Sequence, residues 1–380
     1  MTKIDREKRT QEVAFVNGAH LPQAFQEAIL TEDARMFREV LDKRKLDERH
    51  ILIVGGAGYV GSVLTDHFLK RGYKVRVADI LLYNHGLTVV PFLANPRYQF
   101  MNADMANKAE MEKALEGITD VIMLAGLVGD PVTKKFPEAA KIVNDDGHAN
   151  FIAQLNGRGL NKVVFVSTCS NYGFVEGDAL ADESWELKPL SLYAKSKVAV
   201  ETALLSEKGK TDYTPTILRF ATAFGLSSRM RFDLTVSEFT RALALGEDLL
   251  VYDGHTWRPY CHLRDFADLI ERTLVAPVDW VAHEVFNAGG EVNNCTKQMI
   301  VDAVLAQLPG AKVRYQDKGP DPRNYRVSFV KVRKALSFEP AYTVPQGVAE
   351  LIAAIRQGLF LDVSQPNSFY GNYDVVYKSR

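Results

Sequence analysis

Two rhythms of hydrophobic and polar residues divide this chain. From residue 51 to about 220, short unbroken apolar runs rich in Val and Ile recur: "ILIV" (51–54), "KVRVAD" (74–79), "DVIMLAG" (120–126), "KVVFVST" (162–168) and "TPTILRF" (214–220). Between them, apolar residues fall three and four apart in "VGSVLTDHFLKR" (60–71), "KAEMEKALEG" (108–117), "EAAKIVNDDGHANFIAQLN" (138–156) and "YAKSKVAVETALLSEK" (193–208). The first pattern fits strands and the second helices. Their alternation predicts an α/β fold, a doubly wound parallel sheet joined by right-handed crossovers. Continuous apolarity within the strands predicts a sheet covered on both faces.

The flanks read differently. Residues 1–49 predict an N-terminal helical extension, through "LPQAFQEAIL" and "EDARMFREVLDKRK", either as surface helices or as a lid or partner contact. The alternating domain occupies 50–225. Beyond it, helical segments near 236–245, 264–274, 296–307 and 345–356 are separated by Gly- and Pro-containing loops, and "HEVFNAGG" (283–290) is expected to return a strand to the sheet. Residues 226–363 thus read as a smaller interleaved lobe, and 364–380 as a polar, aromatic tail that packs on something or trails.

Composition narrows the class. Of 380 residues, 47% are hydrophobic and 24% charged, and the net charge is −1, so nothing calls for nucleic acid or an anionic membrane as partner. The 3 cysteines are far apart, which fits a reducing compartment without a disulfide framework. The histidines show no metal-ligand spacing, so no metal is expected. The N-terminus is charged from its third residue, and no apolar run approaches the roughly 20 residues a bilayer needs; a cytoplasmic enzyme is the natural expectation.

The first strand runs into "VGGAGYVGSVL", which places Gly55, Gly58 and Gly61 between a strand and a helix. Glycines there permit the tight turn and let backbone N–H groups approach a pyrophosphate, with the helix N-terminus adding partial positive charge. Asp79 ends the second strand. A carboxylate at that place accepts ribose hydroxyls and repels a 2′-phosphate, which favours NAD over NADP. Asp104, in "NADM", either meets the adenine or caps a turn.

A second constellation follows. "VSTCSNYG" (166–173) ends the fourth run, where ligands of such sheets bind, and "SLYAKSK" (191–197) opens a helix with Tyr193 and Lys197 one turn apart on one face. An ammonium beside a phenol favours phenolate, and opposite charges shift a pKa by ~1–3 units, so the spacing predicts a Tyr193 base. Thr168 can orient a substrate hydroxyl.

With the glycine turn, "LAG" (124–126), Asn144, "STCSNYG", YxxxK and "RPYCHLRD" (258–265), residues 50–358 resemble the extended short-chain dehydrogenase/reductase family, in particular the NAD-dependent nucleotide-sugar epimerases and dehydratases. The resemblance implies a Rossmann domain and a catalytic trio of Thr168, Tyr193 and Lys197. It implies an NAD site of Gly55, Gly58, Tyr59, Val60, Gly61, Asp79, Asp104, Met105, Leu124, Ala125, Gly126, Ser167, Tyr193, Lys197 and Phe220, with Asn144 in the helix behind. It implies a nucleotide-diphosphate sugar met by Val128, Thr168, Cys169, Ser170, Thr222, Arg231, Arg258, Lys318 and Arg323, with Arg258 the leading phosphate ligand and Cys169 either a wall residue or a thiol acid/base. Where 4,6-dehydratases carry Asp and Glu after the catalytic Thr, this chain has Cys169 and Ser170. The cysteine of 3,5-epimerases, two residues before the motif tyrosine, is replaced by Ser170. Thr222 stands where many 4-epimerases carry Asn.

The pattern therefore points to epimerisation at C4. A 4-keto-sugar reductase or oxidoreductase with the same trio, or a dehydratase of the same family, is the alternative, and a non-catalytic NAD-sensing protein the remote one. The family also pairs the helices at 138–156 and 193–208 in a homodimer. Ile142, Phe151, Val200 and Leu204 are read here as the extra apolar positions such a pairing would cover.

Overall fold

The computed structural model describes residues 15–16, 19–20, 48–317, 323–360, 363 and 369–378. The helices expected in the N-terminal extension lie outside the described residues. Ahead of them, Phe15–Val16 and Ala19–His20 form an antiparallel pair.

Seven parallel strands form the centre: β1 (His50–Val54), β2 (Lys74–Asp79), β3 (Tyr98–Asn102), β4 (Asp120–Met123), β5 (Lys162–Thr168), β6 (Pro215–Phe220) and β7 (Val285–Ala288). Their order across the sheet is β7-β6-β5-β4-β1-β2-β3, reversing direction on either side of β1. Crossovers run through α1 (Tyr59–Lys70), α2 (Lys108–Ala114) and α3 (Leu192–Ser206). β1 shows why the runs are continuously apolar. Ile51 and Ile53 join Leu64 and Phe68 of α1 on one face. Leu52 and Val54 join Met123, Phe151, Val200 and Leu204 on the other.

β3 gave no clear signal in the sequence. It is the outermost strand beyond β2, and of "YQFMN" only Tyr98 is buried, so a mixed composition suffices there. The helix expected over 138–156 is broken into Pro137–Ala140, a π-helical turn Lys141–Asp146 and Gly147–Ile152. Within that turn Asn144 looks away from its own helix. Its Oδ1 accepts from Leu127 N–H at 2.7 Å and its Nδ2 donates to Leu127 O at 3.0 Å. π-turns often mark functional sites, and this one pins the loop that follows β4.

Phe151, Val200 and Leu204 are already buried on the sheet of the same chain. Their burial is accounted for within the chain, whereas Ile142 is only half-buried. Helical periodicity reports that a residue is buried, not by what.

The remaining helices are α4 (Thr235–Ala244), α5 (Leu263–Val275), α6 (Lys297–Leu305) and α7 (Val344–Arg356). α4, α6 and α7 share a separate core of Val236, Phe239, Ile300, Val304, Val348 and Leu351. α5 instead packs into the sheet core with Phe266, Leu269 and Ile270. The second lobe thus threads through the first, and a cleft opens between them along the carboxyl ends of the strands. No described helix is long and apolar enough to cross a membrane.

Candidate active site

The cleft has a volume of about 490 Å³. One end is the β1–α1 turn. Gly55 has φ +86, and a Cβ there would lie 2.7 Å from the Ala125 backbone. At Gly61 a Cβ would collide with the Gly55 carbonyl. These two glycines are demanded by the protein's own close packing. Gly58 is not: a Cβ there would meet nothing nearer than Gly55 O at 3.4 Å, yet Gly58 caps α1 and faces the cleft. Space kept clear at a helix N-terminus suits a phosphate.

Asp79 closes the next side of this end. Its Oδ2 accepts from Ala57 N–H at 3.1 Å and its Oδ1 from Leu81 N–H at 2.8 Å. A carboxylate offers about four lone-pair sites, so capacity remains for ribose hydroxyls. Val60, Asp104, Met105, Leu124, Ala125, Gly126, Ser167 and Phe220 also line the cleft, with Val128, Ser170 and Thr222 farther along. A glycine cradle, a ribose-binding carboxylate and an apolar strand floor together fit a dinucleotide. Tyr59 lines the cleft but spends its hydroxyl on Gly225 O at 2.8 Å. Asn144 does not face the cleft; it acts on the Leu127 loop behind it.

Thr168, Tyr193 and Lys197 converge at the middle. The Thr168 hydroxyl accepts from Ser170 N–H at 3.1 Å, which turns the chain from β5 into the 3-10 turn Cys169–Tyr172. Ser191 caps α3 by accepting from Ala194 N–H at 3.2 Å, which aims the first turn of the helix, with Tyr193, at the cleft. Lys197 Nζ lies 5.9 Å from the Tyr193 ring centroid and donates to Val166 O at 2.9 Å. Beneath it, Glu201 accepts from Arg219, Asn171 and Ser167.

The electrostatics differ from the expectation. Burial raises the Tyr193 phenol above its ordinary value, and the Asp130 carboxylate adds to this against Arg231. Burial also brings Lys197 down to about 7, with Glu201 opposing. Burial thus weakens the lysine's pull on the phenol, and a bound cationic group would add to it.

The substrate side was read less well. Arg231 lines the cleft and grips Asp233 at 2.6 and 2.7 Å. Arg323 lines it and pairs with Asp130 at 2.6 Å. Arg258 does not. Its Nη1 donates to the carbonyls of Trp257 and Arg323, and its guanidinium lies 5.1 Å from the Tyr325 ring centroid. Lys318 lies outside the described residues. Cys169 does not line the cleft; it is buried, its thiol donates to Arg219 O at 3.0 Å, and burial pushes it well above the ordinary thiol range, which disfavours thiolate.

Tyr83, His85, Asp130, Phe266, Asn372 and Tyr373 line the cleft without having been singled out. Phe266 stacks on Phe220 at 3.7 Å. His85 Nε2 lies 3.5 Å from Asp79 Oδ1. Tyr83 and His85 sit in an irregular loop where Leu81 and Asn84 both have positive φ, so no periodicity marks them.

A family model described as the NAD dependent epimerase/dehydratase family matches residues 51–289. The chain is 26% identical over 339 residues to a UDP-N-acetyl-alpha-D-glucosaminuronate decarboxylase of Bacillus cytotoxicus, covering 82% of this chain and 98% of that one. It is 23% identical over 323 residues to a UDP-glucuronate 4-epimerase of Thermodesulfobacterium geofontis, covering 82% and 98%. Among solved structures, the UDP-glucuronic acid 4-epimerase of Bacillus cereus, in complex with UDP-glucuronic acid and NAD, superposes with a TM-score of 0.74 at 22% identity, covering 82% of this chain and 100% of that one.

Proposed function

The chain belongs to the NAD dependent epimerase/dehydratase family, and on that premise we propose that it epimerises a nucleotide-diphosphate sugar at C4 through a transient 4-keto sugar. The observation that carries this reading is the meeting of Thr168, Tyr193 and Lys197 in one cleft where positions 169 and 170 hold a buried thiol and a hydroxyl rather than carboxylic acids. Tyr193 receives the C4 hydroxyl proton and later returns it, while Thr168 orients that hydroxyl. Bound NAD supplies a two-electron acceptor for the C4 hydride, which comes back to the opposite face of the sugar. Arg231 and Arg323 hold the diphosphate, by exchanging or sharing their carboxylate partners.

A second reading is favoured by the relatives named as UDP-sugar-acid decarboxylases. Oxidation at C4 of a uronic acid makes a β-keto acid, which loses CO2 when the C5–C6 bond can align with the ketone. Both readings share the first half-reaction and the same residues. Incubating the protein with NAD and UDP-, GDP-, CDP- and dTDP-sugars, including UDP-glucuronate, and resolving products by NMR separates them. The expected product is a C4 epimer with no CO2 and no net NADH. Release of CO2 with a pentose product would establish the decarboxylase, and stoichiometric formation of NADH with a 4-keto sugar the oxidoreductase.

A further inference from the structure

The C-terminal segment 369–378 meets the loops that follow β3 and β4 beside the cleft, and its bonds go to residues of both lobes. Tyr370 O accepts from Phe232 N–H at 2.7 Å. Arg229 Nη2 donates to Gly371 O at 2.9 Å and to Asn372 Oδ1 at 3.0 Å. Asn372 Nδ2 donates to Val128 O at 2.8 Å, on the loop that Asn144 pins from behind. Val375 is 7% exposed and packs with Leu127, Val132 and Ala140. Finally, Tyr377 donates its hydroxyl to Asp104 Oδ2 at 2.7 Å. Asn372 and Tyr373 themselves line the cleft.

These contacts make the segment a wall rather than a plug. It bonds to the rims, while Gly58, Asp79 and Leu124–Gly126 still face open space. Asp104 Oδ1 accepts from Ala106 N–H at 2.9 Å, so with Tyr377 the carboxylate is held on both oxygens. Each oxygen keeps a lone pair for a further donor. Such a carboxylate is aimed and fixed with about half of its accepting capacity left. Gly371 permits the fold-back, since a Cβ there would run into the Tyr373 ring.

We propose that residues 369–378 form one side of the dinucleotide site, with Tyr377 positioning Asp104 for the adenine end and Asn372 with Tyr373 closing the cleft, so that the segment retains bound NAD. The proposal rests on NAD occupying this cleft. The bonds to Val128 and Asp104 hold this wall in place, and slow escape of the cofactor suits an enzyme that regenerates it at every turnover.

The test uses full-length protein and NADH as the probe. In Tyr377→Phe combined with Asn372→Ala, the NADH dissociation rate, followed by its fluorescence, should rise about tenfold for two lost hydrogen bonds. Val292→Ser, at a position 61% exposed and outside the segment and the cleft lining, should leave the rate unchanged. Hydrogen exchange on wild-type protein should show amides 369–378 better protected with NADH than without, and this arm stands whether or not the double variant folds. An unchanged rate in a folded double variant, or protection that falls on NADH binding, would overturn the proposal. Wild-type protein that takes up no NADH would overturn the cofactor reading itself, and the proposal with it.

Discussion

A buried lysine sits beside each end of β5, and the two are alike in burial and in donating to backbone carbonyls. Lys162, at the start of the strand, donates to Ala276 O at 2.7 Å and Thr273 O at 3.3 Å, closing the end of α5. Lys197, on α3 beside the other end, donates to Val166 O at 2.9 Å. Burial brings both to about 7. Only Lys197 faces the cleft. A displaced pKa therefore does not distinguish a catalytic lysine from a helix-capping one. What distinguishes them is which end of a parallel sheet they occupy, because the strand carboxyl ends are where the crossover loops splay apart and leave room for ligands.

The largest expected effect exploits that difference. Lys197→Met or Tyr193→Phe should lower turnover by at least ~10²-fold, the usual contribution of a positioned acid–base group. Lys162→Met should leave turnover unchanged. Steady-state rates with NAD retention measured alongside would check this. Loss of activity in Lys162→Met without unfolding would break the comparison.

The same contrast holds for the glycines. Gly61→Ala drives a methyl into the Gly55 carbonyl and the Gly56 backbone, and overpacking of this kind costs about 1–3 kcal/mol of stability. Gly58→Ala has room inside the protein, so its unfolding midpoint should stay put while NAD affinity drops about tenfold, the methyl standing where backbone N–H groups should approach phosphate. Denaturant unfolding and NAD titration of both variants separate a glycine needed by the fold from one needed by the ligand.

These pairs also show what the sequence could and could not reveal. β2 and β5 were legible to the residue, as "KVRVAD" and "KVVFVST": β5 is a nearly continuous apolar run, as a strand covered on both faces requires, and β2 shows β-branched valines at every second position with a buried Ala78 before Asp79. The glycine turn, Asp79 and the Tyr193–Lys197 pair were legible because their geometry is local, set by one turn or one helix face. The arginines were not. Arg258 and Arg323 both lie in the second lobe, and nothing in "HTWRPYCHLRD" or "DPRNYR" says which guanidinium meets the cleft and which meets carbonyls; loop packing decides. Asn372, Tyr373 and Tyr377 were beyond reach for the same reason, since they meet the cleft across more than two hundred residues of chain.

A smaller effect follows from that arginine contrast. Arg323→Gln removes a cleft cation whose side chain is 24% exposed, and should raise KM for the nucleotide sugar about tenfold with little change in stability. Arg258→Gln should leave KM alone and lower stability, because its guanidinium packs on Tyr325 and holds the Trp257 carbonyl. Equal rises in KM for both would return Arg258 to the site.

The smallest effect brings the two lysines back together. Each has a folded pKa near 7 against an ordinary 10.5. Between those values the unfolded chain binds the proton and the folded chain does not. Stability from each site therefore rises with pH across that window, is lowest below about 7, and gains at most about 1.4 kcal/mol per pH unit. This is the reverse of a lysine stabilised by an ion pair, whose contribution would fall as pH climbed through a raised pKa. Tyr193, raised above 10, begins to act only beyond the window and with the opposite sign. Urea unfolding of cofactor-free protein from pH 7.5 to 9.5 reads the slope. Lys197→Met and Lys162→Met should each flatten it by a similar amount, although only the first abolishes turnover. A slope that flattened in one variant alone would mean that the two ends of β5 are not electrostatically equivalent, and the unchanged lysine would then be charged and paired within the fold.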